Sequence, residues 1–127
     1  MKTRISEVVR NYDPEKVRIG VLGSHSALEV ASGARQEGFE TVVVCQKGRD
    51  KTYTRYYGGL FDYTLLLDRF SDIVWAENVR RLVDLNVVFV PNRSFSVYAG
   101  YENIEEKFCV PLMGNRFMLR KIGRAHV

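Results

Sequence analysis

Nowhere in these 127 residues does an apolar run approach the roughly 18 to 20 residues that a membrane-spanning helix needs. The N-terminus is interrupted by Arg4, Glu7 and Arg10 and lacks a secretory h-region. Both absences point to a cytoplasmic protein with no membrane partner. Cysteine is scarce too. Cys45 and Cys109 lie in the apolar stretches VVVCQ and KFCVPL, without CxxC spacing or a histidine beside them. That excludes a zinc site and a disulfide scaffold and predicts buried, reduced thiols.

Two nucleotide-binding signatures are missing. After the first apolar run the chain reads Gly20-Val21-Leu22-Gly23-Ser24-His25, which is neither G-x-G-x-x-G nor G-x-x-x-x-G-K-[ST], so dinucleotide binding and P-loop hydrolysis lose their main support. Internal repeats and low-complexity segments are also lacking. What the chain does have is 46% hydrophobic and 27% charged residues, the balance of a soluble globular chain with a core of its own and room for one domain. Its net charge of +4 is scattered among Asp and Glu. This suits a phosphate-bearing small molecule as well as nucleic acid, and without an RRM, KH or helix-turn-helix pattern a nucleic-acid partner is not expected.

Element by element, residues 3 to 12 carry Ile5, Val8 and Val9 at helical spacing behind Thr3, and Asp13-Pro14 stops that helix. Val17 to Leu22 reads as a buried strand. Ser26-Ala27-Leu28-Glu29 has the form of a capping box opening a helix with Leu28, Ala31 and Ala34 on its apolar face, ended by Gly38. The β-branched run Thr41 to Cys45 completes a β-α-β unit. Gly48 to Tyr57 is a surface loop or short helix. Tyr63 to Leu67 and Val87 to Val90 are further strands, with an amphipathic helix from Trp75 to Leu85 between them. Ser94 to Ile104 predicts one or two short helices broken near Gly100. Cys109 to Met113 predicts a fifth, edge strand, and Gly114-Asn115 opens a last helical turn through Leu119. The alternation predicts an α/β fold: an open, mostly parallel, Rossmann-like sheet of about five strands flanked by helices.

In such a sheet ligands bind beyond the carboxyl ends of the strands. The candidate loops are therefore Gly23 to Ser26, Gln46 to Arg55, Pro91 to Ser96 and Gly114 to Arg116. The first sets Ser24, His25 and Ser26 before a helix N-terminus, where backbone N–H groups and the helix dipole favour a phosphate or carboxylate. His25 reads as a base, a ligand contact or a satisfied turn residue. Ser26 reads first as the cap of its helix, Ser94 as a cap or an anion contact, and Ser24 as the hydroxyl freest to face a ligand. Arg49, Lys51 and Arg55 among Tyr53, Tyr56 and Tyr57 form at most an auxiliary site or a self-packed loop. The candidate loops hold no carboxylate pair, no Cys/His cluster and no acidic residue to orient a triad. The pattern predicts binding rather than catalysis.

Residues 122–127, Ile-Gly-Arg-Ala-His-Val, have neither periodicity nor cap and match the translation of a common sequencing-adapter read-through, so they are read as a scar. Without Lys121, itself partly scar-encoded, and Arg124, the formal charge falls from +4 to +2, and His25 becomes the only native histidine.

Taken in order, LGSHSAL (22 to 28), QEGFET (36 to 41), QKGRD (46 to 50), FSDI (70 to 73), PNRSF (91 to 95) and VPLMGNRFMLR (110 to 120) resemble the archaeal formate–phosphoribosylaminoimidazolecarboxamide ligases of purine biosynthesis. The resemblance runs from about residue 5 to Arg120. It implies that residues 1–121 are the N-terminal, substrate-binding domain of an ATP-grasp ligase whose ATP-grasp domain is not in this chain. That enzyme joins formate to 5-aminoimidazole-4-carboxamide ribonucleotide at the expense of ATP. ATP and Mg2+ would bind outside this fragment, which alone would be inactive, and a homo-oligomer is left open. By the same resemblance the nucleotide-contacting histidine falls on His25 and the serine of the Ser-Phe motif on Ser94. Asn92-Arg93 departs from the His-Gly of the catalytic members. This leaves a second reading, a non-catalytic or differently specific paralogue that binds a phosphorylated metabolite.

Overall fold

In the computed structural model the described residues are 2–24, 26–51 and 58–113. Four strands, β1 (Arg18–Leu22), β2 (Glu40–Gln46), β3 (Tyr63–Leu67) and β4 (Val87–Val90), form one sheet in the order β3-β2-β1-β4. Every pairing is parallel. The helices are α1 (Lys2–Asn11), α2 (Ala27–Gln36), α3 (Ala76–Asp84), α4 (Arg93–Ala99) and α5 (Tyr101–Lys107). The α/β architecture read from the sequence is therefore present. The expected fifth strand is reduced to a single bridge, Phe89 to Leu112, on the outer edge of β4. There the Phe89 N–H donates to the Pro111 carbonyl and the Met113 N–H donates to the Phe89 carbonyl. Pro111 has no N–H of its own to extend the ladder.

The period of two along each strand divides the core. Leu22, Val42, Val44, Leu67, Val87 and Phe89 face the layer built from α1 and α3 to α5. In that layer the Phe89, Phe95 and Phe108 rings meet at centroid distances of 4.8, 4.9 and 5.4 Å, tilted or edge-on as ring quadrupoles prefer. Val21, Val43 and Cys45 face the other way, onto Ala27 and Ala31 of α2. Small alanines let α2 lie close to β1 and β2, and Gly38, at φ +89°, ends the chain's run behind it.

Gly20 decides how closely β1 and β4 pack. A Cβ there would lie 2.6 Å from Val87 Cγ1 and 3.1 Å from Phe89 Cδ1, so the Val87 methyl, with the Phe89 ring beside it, occupies the space that any larger residue would need. Tyr12 fastens the segment after α1 to the same strand, its hydroxyl donating to the Val87 carbonyl at 2.7 Å. Gly100, at φ +82°, separates α4 from α5 where the sequence predicts the break.

Candidate functional site

Because all four strands run the same way, their carboxyl ends share one edge of the sheet. With β1 between β2 and β4, the loop after β1 and the loop after β4 become neighbours. Asn92, two residues past the end of β4, joins them. Its Oδ1 accepts from the Phe95 N–H at 2.9 Å and so caps α4. Since Oδ1 must face that donor, the amide orientation is settled and Nδ2 points back at the β1 loop. There Nδ2 donates to Ser24 Oγ at 3.0 Å, to Ser26 Oγ at 3.1 Å and, at the longer distance of 3.4 Å, to the Leu22 carbonyl.

This arrangement corrects two capping assignments. Ser26 precedes α2, but its φ, ψ of −90° and −5° are helical rather than extended, and its side chain makes no capping hydrogen bond. The Ser26–Glu29 box is not formed because the Ser26 hydroxyl turns to Asn92. The cap of α4 is Asn92 and not Ser94, which lies inside the first turn of that helix.

Of the residues singled out by sequence, Ser24 and Ser26 are brought together, both within hydrogen-bond reach of one amide nitrogen. Ser94 is two positions beyond that amide in the chain. His25 lies outside the described residues, as do Tyr53, Arg55, Tyr56, Tyr57 and the segment from Gly114 to Arg116. In the β2 loop, Gln46 Oε1 accepts from the Phe70 N–H at 3.2 Å, and Lys47 pairs with Asp68 at 3.0 Å on the exposed surface. That loop is thereby bound to the segment after β3 instead of to Asn92. Sequence reading named Asn92 only as a departure from the family pattern and missed its role as cap and junction, although an asparagine three positions before Phe95 and directly after Pro91 carries a cap signal of its own.

Both cysteines are buried and unpaired, as expected. Burial, and then the charge of Asp50, pushes the Cys45 thiol up to about 12, so it is not a nucleophile at neutral pH. Among the described residues no three His, Cys, Asp or Glu side chains converge as metal ligands, and no helix is long and apolar enough to cross a membrane. A cleft of about 590 Å³ bordered by Arg69, Ser71, Trp75, Asn103 and Lys107 shares no residue with the Asn92 junction. The junction itself presents neutral hydroxyls and an amide at the start of a ten-residue helix. It is suited to orient and hold an anion, and it lacks groups for proton transfer or covalent chemistry among the described residues.

The family described as "Protein of unknown function (DUF1246)" matches residues 19–126. The chain is 43% identical over 116 residues to a protein of Methanobrevibacter smithii named 5-formaminoimidazole-4-carboxamide-1-(beta)-D-ribofuranosyl 5'-monophosphate synthetase, covering 91% of this chain and 31% of that protein. It is 44% identical over 119 residues to the synthetase of the same name from Methanosphaera stadtmanae, covering 94% of this chain and 32% of the relative. The chain thus spans about a third of the length of these curated relatives. Among solved structures it is similar to the IMP biosynthesis protein PurP from Thermococcus kodakaraensis, at a TM-score of 0.59 and 26% identity, over 80% of this chain and 31% of that one.

Proposed function

This chain belongs to the DUF1246 family of proteins of unknown function, and from that premise we propose that residues 1–121 are the N-terminal, substrate-holding domain of a cytoplasmic ATP-dependent ligase of purine biosynthesis, which joins formate to 5-aminoimidazole-4-carboxamide ribonucleotide. The observation that carries this reading is the 43 to 44% identity, extending over 91 to 94% of the chain, to two synthetases whose name specifies the corresponding formamido product. The junction at the carboxyl edge of the sheet supports it on chemical grounds. A ribose 5'-monophosphate carries a dianionic group, and the start of α2 with the Ser24 and Ser26 hydroxyls offers dipole and hydrogen-bond donors to such a group. On this reading His25 and Ser94 supply further directed contacts to the nucleotide. Formate activation, which ATP and Mg2+ would support, belongs to the remainder of the full-length protein. What this domain's own residues do is bind the nucleotide and orient its amine.

Calorimetric titration of the chain with the aminoimidazole carboxamide ribonucleotide tests the proposal. His25→Ala and Ser94→Ala should each weaken binding on the order of tenfold, the value of one charge-assisted hydrogen bond. Equal affinity in all three proteins would remove both residues from the site.

A second reading, a differently specific paralogue, is favoured by one observation: Asn92 stands in the loop where the resemblance leads one to expect His-Gly, and it is engaged with both serines. Tighter binding of a different phosphorylated metabolite in the same titration would select that reading.

A further inference from the structure

Building on the proposed nucleotide site, we infer that Asn92 is a positioning residue that sets the direction of the hydroxyl dipoles in the β1 loop and thereby makes that loop selective for an anionic group. The donors and acceptors that each side chain possesses decide the direction of the contact. A primary amide nitrogen only donates, and a hydroxyl has one hydrogen to give and lone pairs with which to accept. Asn92 cannot rotate its amide to reverse the contact, because Oδ1 is held by the Phe95 N–H at 2.9 Å. Ser26 Oγ therefore accepts from Nδ2 at 3.1 Å. Its hydrogen points elsewhere, and among the described residues nothing accepts it. Ser24 Oγ accepts from the same nitrogen at 3.0 Å, so both oxygens are turned by one donor. A loop arranged in this way offers a donor to a ligand and has spent acceptor capacity internally. It favours a phosphate or carboxylate oxygen over an ammonium group, which can only donate.

Asn92→Asp reverses this arrangement at constant shape. Aspartate caps a helix as well as asparagine does, so the Phe95 contact survives. The second carboxylate oxygen can only accept, so the Ser26 hydrogen turns inward to it. The variant should melt within a few degrees of the parent chain and bind the aminoimidazole carboxamide ribonucleotide and ribose 5-phosphate at least tenfold more weakly. The added negative charge would also repel an anion, and a double-mutant cycle separates the two effects. If Asn92 acts through Ser26, Asn92→Asp should cost less than threefold once Ser26→Ala has removed the hydroxyl, whereas charge repulsion alone would give the same loss in both backgrounds.

Additive losses, or undiminished binding by Asn92→Asp, would overturn the inference and leave the nucleotide reading standing. Ribose 5-phosphate bound as tightly as the ribonucleotide, with the same coupling to Ser26, would uphold the role of Asn92 and count against the purine precursor as substrate. Failure of the parent chain to bind either ligand would overturn the role of Asn92, whereas the nucleotide reading would then be decided by the full-length ligase.

Discussion

The two ends of the sheet use polar side chains in opposite ways. At the amino end Arg18 is spent entirely on the fold. Its Nε pairs with Glu40 at 3.0 Å, one terminal nitrogen donates to the Leu85 carbonyl at 3.0 Å, the other reaches the Tyr63 hydroxyl at 3.2 Å, and the guanidinium lies 4.7 Å from the Tyr63 ring centre. Beside it Asp62 accepts from the Thr41 N–H at 2.8 Å and from Arg35 at 2.9 Å, while the Thr41 hydroxyl donates to the Leu60 carbonyl. Charges there meet opposite charges and tie three strands together. At the carboxyl end the corresponding position is held by the neutral Asn92, Ser24 and Ser26. A saturated ionic network stabilises without offering anything to a ligand. A neutral network with one hydroxyl hydrogen uncommitted among the described residues gives up some of that stabilisation and can recognise something.

The strongest way to break this contrast is to disturb the frame that both ends share. Gly20→Ala forces a methyl group against Val87 and Phe89. It should cost roughly 2 to 3 kcal/mol in a urea titration, as overpacking does, and weaken ribonucleotide binding along with it. Selective loss of stability alone would mean that the two ends are not coupled through β1 and β4. Arg18→Ala comes next. It should cost about 1 to 2 kcal/mol, because Glu40 and the Leu85 carbonyl lose a charged partner in a half-buried setting, and it should leave ribonucleotide affinity unchanged. A parallel drop in affinity would erase the division of labour.

The smallest effect concerns acid. Burial raises the Asp62 carboxyl, but the Thr41 N–H and the hydrogen bond and charge of Arg35 outweigh it and hold the group below the ordinary carboxylate range. A carboxylate depressed by folding stabilises the chain above its unfolded value of about 4 and loses that contribution as pH falls through the lower, folded value. Asp62→Asn should therefore cost about 1 kcal/mol at pH 7 and flatten the decline in melting temperature below about pH 4. An unchanged acid limb would place the sensitivity in other groups.

What could be read from the sequence follows from how local the determining contacts are. The β-branched run Thr41 to Cys45, the amphipathic stretch Trp75 to Leu85 and the break at Gly100 each encode their own structure, and all three are found. The fifth strand failed at Pro111, where one missing N–H limits a strand-like composition to a bridge. The Ser26 box failed for a different reason. Its local partner Glu29 was visible, whereas Asn92, which captures the hydroxyl, is 66 positions away. The carboxyl-edge rule named the two loops that Asn92 joins, and within them it named Ser24 and Ser26 without the side chain that unites them.

That separation also carries a cost in chain entropy. Closing β1 onto β2 links positions 22 residues apart, whereas the Asn92 junction spans 66, and a loop three times as long costs about 1 kcal/mol more in chain entropy to close. The β-α-β unit can therefore form while its β1 loop still lacks Asn92. Only when β4 docks beside Gly20 do the two serines acquire their donor, so the junction depends on the β1–β4 pairing and is indifferent to β3 at the far edge of the sheet.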